Sequence, residues 1–377
     1  MTERHETQPV SADSEVDDKL EVIVVGGGQA GLAVGYFLAQ QGRRFVILEA
    51  EGEPAAAWRA RWDSLKLFTP ARYSGLPELP FPGGPDSYPG RDDVIDYLTD
   101  YARRFDLSVV LDSRVRAVRR AEHRYLVELD DRRYTADQVV VATGPFQVPF
   151  VPAIADQLGQ DVFQLHSIRY RAPGDLPDGP VLVVGGGNTG FQIAQELSAT
   201  REVHLSIGSR QTPLPQRILG RDLFWYLNKA GAMRKSTDTR IGRRLAGRDA
   251  LIGSNPRTLR KRHGVRLRPR AVEASGRAIR FSDGSELDPN GVIWATGFRN
   301  DHSWIDAPIF DDRRRVVHRR GVTDSPGLYF LGLTWQYTRG SALIGWVGED
   351  AAYIADQIKT FRTDQPKLAA DETVGTR

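Results

Sequence analysis

The sequence predicts an α/β chain of two doubly wound units, the second inserted into the first. Three observations carry that prediction. An apolar run at residues 22–25 leads into Gly26, Gly28 and Gly31, spaced G-x-G-x-x-G, and then into a helix start. The same device recurs at residues 180–194, with Gly185, Gly187 and Gly190. An apolar strand ending in Ala-Thr-Gly occurs at residues 142–144 and again at 295–297.

Each glycine of such a triplet has a physical task. The first permits a tight turn, the second lets backbone approach a pyrophosphate, and the third lets helix and strand pack closely. The following helix start, with Gln29 and Ala30, offers unpaired N–H groups to phosphate. The strand RFVILE then ends in Glu49, about 20 residues on, as a dinucleotide fingerprint requires. A carboxylate there accepts hydrogen bonds from a ribose hydroxyl and repels a 2′-phosphate. The first site therefore suits an unphosphorylated adenosine, as in FAD or NAD. In the second unit the corresponding strand, EVHLSIGSR, carries no acid at its end. Ser209 and Arg210 stand there, with Arg217 close behind, and arginine in place of acid suits the 2′-phosphate of NADPH. The predicted fold is thus α/β, with two Rossmann-like dinucleotide-binding domains and the NADPH domain inserted into the FAD domain. Two nucleotides meeting in one chain imply hydride transfer.

The rest of the chain follows in order. Residues 1–19 are polar and read as a disordered leader. Residues 20–150 form the first part of the FAD domain. Within it, residues 55–82 read as an extended loop with one or two short strands, whose Trp58, Trp62, Phe68 and Phe81 could wall a flat ring system. Residues 91–107 have apolar positions at helical spacing. Two strand-like runs follow, with a hairpin near Asp130 and Asp131. Residues 151–271 are the NADPH domain, and its stretch 217–270 holds roughly 16 Lys and Arg against few acids, read as a solvated basic helical insertion. Residues 272–363 return to the FAD domain, with an Asp283-Gly284 turn, the run GVIWATGF, a strand in GLYFLGL and a final helix. Ser341 and Ala342 sit where that helix would begin, with its N-terminus aimed at a flavin edge. Residues 364–377 read as a flexible tail.

Composition bounds the chemistry. Lys and Arg number 51 against 48 Asp and Glu, a net charge of +3, which gives no reason to expect nucleic acid or a membrane surface. No apolar run is long enough to span a bilayer, and the polar N-terminus is unlike a signal peptide; a cytoplasmic location is expected. The chain has no cysteine, so disulfides, Fe–S clusters and redox-active Cys pairs are excluded. Electrons from a flavin must pass to oxygen or a diffusible acceptor. The seven histidines lack ligand spacing, and no metal is expected.

These motifs resemble the class B flavin-dependent monooxygenases, the group holding flavin-containing monooxygenases, the plant YUCCA enzymes and bacterial CzcO-type flavoproteins. The resemblance runs from about Leu20 to Phe361 and includes Trp58-Arg59, SLKLFTPARYSGLPELPFP and YPGRDDVIDYLTDYA. It implies FAD on the first glycine motif, with Glu49 on the ribose, Trp58 and Arg59 near the phosphates and ring, and Leu65, Val115, Thr143, Gly144, Ser341, Ala342 and Leu343 around the cofactor. It implies NADPH at Gly185, Gly187, Asn188, Thr189 and Gly190, with Ser209, Arg210 and Arg217 on the 2′-phosphate and Thr296 and Gly297 nearby. It further implies that NADPH reduces the flavin, that O2 adds at flavin C4a, and that the resulting hydroperoxide oxygenates a small organic substrate. A homodimer is compatible with this. The chain departs from the family's F-x-G-x-x-x-H signature: His166 and Tyr170 match, but Gln160 and Val162 replace phenylalanine and glycine. No asparagine occupies the LFTPAR segment. Two other readings stay open: an NADPH oxidase or diaphorase that releases hydrogen peroxide, and a flavin-binding accessory protein without turnover.

Overall fold

The computed structural model describes residues 20–247 and 250–361; the expected leader and tail lie outside them. The chain starts with strand β1 (Leu20–Val25), helix α1 (Gln29–Gln40) and strand β2 (Phe45–Leu48). Val22, Ile23 and Val24 are fully buried, as a central parallel strand requires. Helix α2 (Arg91–Arg104) follows, then β3 (Val109–Val110), β4 (Ala117–Ala121), β5 (Arg124–Glu128) and β6 (Arg133–Val141). α2 is bounded by an N-terminal Gly90 whose N–H donates to Asp93 (2.8 Å), and it buries Val94, Ile95, Tyr97, Leu98 and Tyr101. The β4–β5–β6 meander is antiparallel, and its last turn falls at the expected Asp130 and Asp131.

β6 serves two partners on one side. Its start pairs antiparallel with β5, and Val139–Val141 pairs parallel with a late strand, Leu328–Phe330. The final helix, Ile344–Thr360, then packs beside α1 through Val347, Ala351, Ile354 and Ile358. The first sheet is thus completed by the last described segment of the chain. The expected helix start at Ser341 and Ala342 is three residues early. Ser341 Oγ accepts N–H bonds from Tyr337 (3.1 Å) and Thr338 (3.0 Å), closing a turn that delays the helix to Ile344.

Between these parts lies a second, wholly parallel sheet. In chain order its strands are β7 (Phe163–His166), β8 (Val181–Val184), β9 (Val203–Ser206), β10 (Arg266–Arg268) and β11 (Gly291–Trp294). They lie in the order β10-β9-β8-β11-β7, and helix α3 (Asn188–Leu197) follows β8. The run GVIWATGF, expected in the returning FAD domain, instead supplies β11 to the second sheet, between β8 and β7. All four residues of β11 are buried, and a uniformly apolar strand carries no mark of which sheet it joins. The antiparallel ribbon Ala271–Ser275, Ala278–Phe281 and Glu286–Leu287 likewise packs on this unit, through Ala274, Ile279 and Phe281 against Leu182, Val184 and Trp294.

The two chain crossings between sheets pair with each other: Val148–Pro149 runs antiparallel to Phe298–Arg299. The expected strands within residues 55–82 are also absent. That segment holds a helical turn at Ala56–Arg59 and a 3-10 turn at Ala71–Tyr73, because prolines and aromatics there favour irregular backbone anchored by side chains. Trp62 and Phe81 are core residues rather than a ring-facing wall.

Four histidines set a pH limit on this fold. Burial holds His166, His204, His302 and His318 below the ordinary imidazole value of 6.5. Nδ1 of His166, His204 and His318 accepts an N–H bond, from Ile168 N, Arg268 Nε and Gly321 N respectively, and protonation there would remove each acceptor. A depressed folded-state value means that the unfolded chain binds more protons below about pH 6.5, so stability rises with pH through that window. The melting temperature is expected to fall as pH is lowered from neutrality through 6.5 and below; a flat melting temperature across that range would contradict it.

Candidate functional site

Both glycine turns lie at the C-terminal ends of parallel strands, where α/β sheets bind ligands. In the first, Gly26 has φ +111°, and a Cβ there would stand 2.7 Å from Ala142 O. A Cβ on Gly31 would lie 1.9 Å from Gly26 O, while one on Gly28 meets nothing within 4 Å. The second turn repeats this. Gly185 has φ +139° with Ala295 O at 2.1 Å from its Cβ position, Gly190 would meet Gly185 O at 2.1 Å, and Gly187 meets nothing within 4 Å. In each triplet the outer glycines are closed by protein and the middle one faces open space. That is the shape needed for a pyrophosphate to approach the backbone at the head of α1 and α3. The repeated Ala-Thr-Gly is explained as well, because each copy is the neighbouring strand's end against which its glycine turn packs.

At the first turn, Glu49 Oε2 accepts from Gly27 N (2.9 Å) and Oε1 from Glu51 N (3.2 Å). Ser113 N donates to Glu49 O (2.7 Å), which places the loop containing Val115 beside this strand end. Val115 itself packs on the opposite face of the sheet. Gln29, Trp58 and Ala342 are brought together: Trp58 Nε1 donates to Gln29 Oε1 (3.1 Å), and Gln29 Nε2 donates to Ala342 O (3.4 Å). Ala30 is buried in the first turn of α1, and Leu343 caps the last helix. Two expected ligands stand elsewhere. Leu65 is buried in the core of the second unit, and Arg59 pairs with Glu53 (3.1 Å) and donates to Pro54 O.

Gln147 was missed from the sequence and joins several parts. Its amide nitrogen donates to Thr143 Oγ1 (2.8 Å) and Gly144 O (2.9 Å) and lies 3.2 Å from His302 Nε2; its oxygen accepts from Asp301 N (2.6 Å). It ties the first Ala-Thr-Gly turn to the chain returning from the second unit. No local pattern marks it.

At the second turn the register corrects the reading. Leu48 lies opposite Val25 and Ser206 opposite Val184, so Ile207, not Ser209 or Arg210, occupies the place of Glu49. Ser209 and Arg210 follow in an exposed loop, and Arg210 makes no ion pair among the described residues. Where Glu49 stands beside Gly27, Gln211 Nε2 stands 2.5 Å from the Cβ position of Gly186. Arg270 also reaches this loop, donating to Gly208 O (2.7 Å); its separation in sequence hid it. Arg217 lies on a separate hairpin and donates to Gly220 O (3.3 Å). Asn188 is a strut: its amide bonds Ala250 O and Ile252 N. Thr189 is half-buried in the first turn of α3. Thr296 Oγ1 donates to Phe150 O, and Gly297 O receives Phe150 N (2.9 Å) and lies 3.0 Å from His166 Nε2. Among the described residues no cluster of three or more metal-ligating side chains occurs, and no helix is long and apolar enough to cross a membrane.

Fold and twin turns together define a two-dinucleotide oxidoreductase. Residues 23–217 match the family described as pyridine nucleotide-disulphide oxidoreductase. A Geobacillus kaustophilus protein described as an uncharacterized CzcO-like oxidoreductase is 43% identical over 341 residues, 90% of this chain and 98% of that one. A probable indole-3-pyruvate monooxygenase, YUCCA9 of Arabidopsis thaliana, is 27% identical across 94% of this chain and 93% of that one. A solved flavin-containing monooxygenase from Stenotrophomonas maltophilia superposes with TM-score 0.77 at 29% identity, over 91% of this chain and 98% of that one. The chain belongs to the pyridine nucleotide-disulphide oxidoreductase family by its family match, and its relatives place it among the class B flavin monooxygenases. Lacking any cysteine, it has no dithiol through which to pass electrons.

Proposed function

We propose that the chain is an FAD- and NADPH-dependent monooxygenase, converting NADPH, a proton, O2 and a small organic substrate into NADP⁺, water and the oxygenated product. The observation that supports this most is the duplication of one turn geometry with opposite flanking chemistry. A carboxylate stands beside the first turn, and an amide with nearby arginines stands beside the second. FAD fits the first turn and NADPH the second; when bound, the reduced flavin would activate O2 for transfer of one oxygen atom.

The chain's own contribution is placement and electrostatics. Gly28 and Gly187 leave room for the two pyrophosphates. Glu49 sits where it would receive adenosine ribose hydroxyls and oppose a 2′-phosphate. Arg210 and Arg270 flank the loop where a 2′-phosphate would lie. The Gln29–Trp58 pair would fix the edge of the flavin pocket against Ala342. We place residues 20–147 and 300–361 in the FAD unit and 148–299 in the NADPH unit, using the paired crossings as the boundary.

Replacing Arg210 with alanine is expected to weaken NADPH far more than NADH. A charged hydrogen bond contributes about 1.5–3 kcal/mol, or roughly 10- to 150-fold in affinity. Equal losses for both nucleotides would remove Arg210 from the phosphate site. The reaction itself is tested by oxygen-18: label from ¹⁸O2 is expected in an organic product. Peroxide equal to the NADPH consumed, with every substrate supplied, would instead make the chain an oxidase.

A further inference from the structure

Arg61 is a half-buried cation to which neither glycine turn gives a task. Its loop is held from two sides. The Arg61 carbonyl oxygen accepts from Arg91 Nη1 (3.1 Å) and from Arg171 Nη1 (2.7 Å), and Asp63 N donates to Arg171 O (2.9 Å). Arg91 heads α2 in the first unit, whereas Arg171 follows β7 in the second. The nearest acid in sequence, Asp63, is taken by Arg91.

The Arg61 guanidinium packs against two aromatic rings, and its charge also acts on His166. It lies 4.5 Å from the centre of Phe146 and 5.3 Å from that of Phe298. Phe146 follows the first Ala-Thr-Gly and Phe298 the second, and the two rings are 5.3 Å apart, edge to face. Arg61 thus stands against the paired crossings, between the ends of the two cofactor turns. Among the described residues no carboxylate lies within ion-pair distance of it, and its N–H groups donate to no protein acceptor. Other half-buried arginines have protein acceptors: Arg91 pairs with Asp63 and Asp92, Arg124 with Asp137 and Arg320 with Asp350, while Arg171 and Arg201 donate to backbone carbonyls and Arg268 to His204 Nδ1.

Burial pushes the Arg61 guanidinium down to about 10, so it stays charged at neutral pH. Ring faces attract a cation but only weakly offset the loss of water around it. They also accept none of its in-plane N–H bonds. A charge held this way, at a junction of two binding clefts, is arranged for a ligand anion rather than for folding.

We propose that Arg61 is an anion-binding residue at this junction, receiving a ligand oxyanion through charge-assisted hydrogen bonds. The inference rests on the two-cofactor reading. One chemistry, a singly charged oxyanion, has two sources there: a phosphate of the nicotinamide nucleotide, or the carboxylate of a substrate.

The test uses the FAD-loaded full chain with Arg61→Gln and Arg61→Lys. Flavin content and melting temperature are measured first. NADP⁺ and phenylpyruvate are then titrated separately, following the flavin spectrum. Arg61→Gln is expected to weaken one of the two by about 10- to 100-fold, with partial recovery in Arg61→Lys, which keeps the charge. Loss confined to NADP⁺ assigns the nucleotide phosphate; loss confined to phenylpyruvate assigns the carboxylate. Unchanged affinity for both, or equal loss in both variants, overturns the proposal. A wild-type protein that holds no FAD, or whose flavin NADPH does not reduce, would instead overturn the two-cofactor reading.

Discussion

Gly28→Val is expected to give a chain that folds with near wild-type stability and retains almost no FAD. Gly28 caps α1 with φ −78° and ψ −172°, extended backbone that valine adopts readily. A Cβ there meets nothing within 4 Å, so the apoprotein pays no steric cost. The new methyl groups would instead occupy the space that a pyrophosphate needs to reach the helix N–H groups. Loss of two charge-assisted bonds amounts to about 3–6 kcal/mol, or roughly 150- to 10⁴-fold in affinity. Flavin absorbance per chain after reconstitution, together with the apoprotein melting temperature, measures both halves. Gly31→Ala provides the contrast. Its Cβ would stand 1.9 Å from Gly26 O, so it should lower stability as well as FAD content. If Gly28→Val keeps its flavin, the first turn is not a pyrophosphate site.

Gly187→Val is expected to separate the two cofactors. Gly187 occupies the matching place at the head of α3, with φ −85° and ψ 176° and open space beyond. The variant should purify yellow, with wild-type FAD content, yet show NADPH-dependent reduction weakened by the same order, roughly 150- to 10⁴-fold in the concentration required. Stopped-flow absorbance of the flavin over a range of NADPH concentrations reads this directly. A variant that lost FAD as well would show that the two turns do not serve separate nucleotides.

Much of this was legible in the sequence because glycine triplets report local sterics. Only glycine tolerates the contacts at Gly31 and Gly190, so the pattern encodes a backbone approach that the structure repeats in both units. The strand-ending Glu49 was legible for a similar reason, since an acid at a fixed offset after the turn has a defined partner in Gly27 N. What failed to show was long-range pairing. β11 carries the same apolar run before Ala-Thr-Gly as the end of β6, and nothing in GVIW specifies a neighbour 110 residues earlier, Val181, rather than a strand of the first sheet. Gln147, Gln211 and Arg270 reach their neighbours only through the tertiary fold, so no local pattern marks them. The aromatic loop suggested Trp62 as part of a wall for a ring system, and the family resemblance implied Leu65 beside the cofactor, but apolar burial in the second core claims both. The loop of Ser209 and Arg210 was found, but its alignment with Glu49 was off, because strand register rather than residue counting sets which positions match.

The central claim is that one chain holds two nucleotides whose reactive ends meet. Anaerobic titration of the yellow, purified protein with NADPH tests it most directly. The prediction is complete bleaching of the flavin band with one NADPH per flavin, and a far higher concentration required for NADH. A bound flavin that stays oxidised under excess NADPH, with the protein otherwise folded, would contradict it.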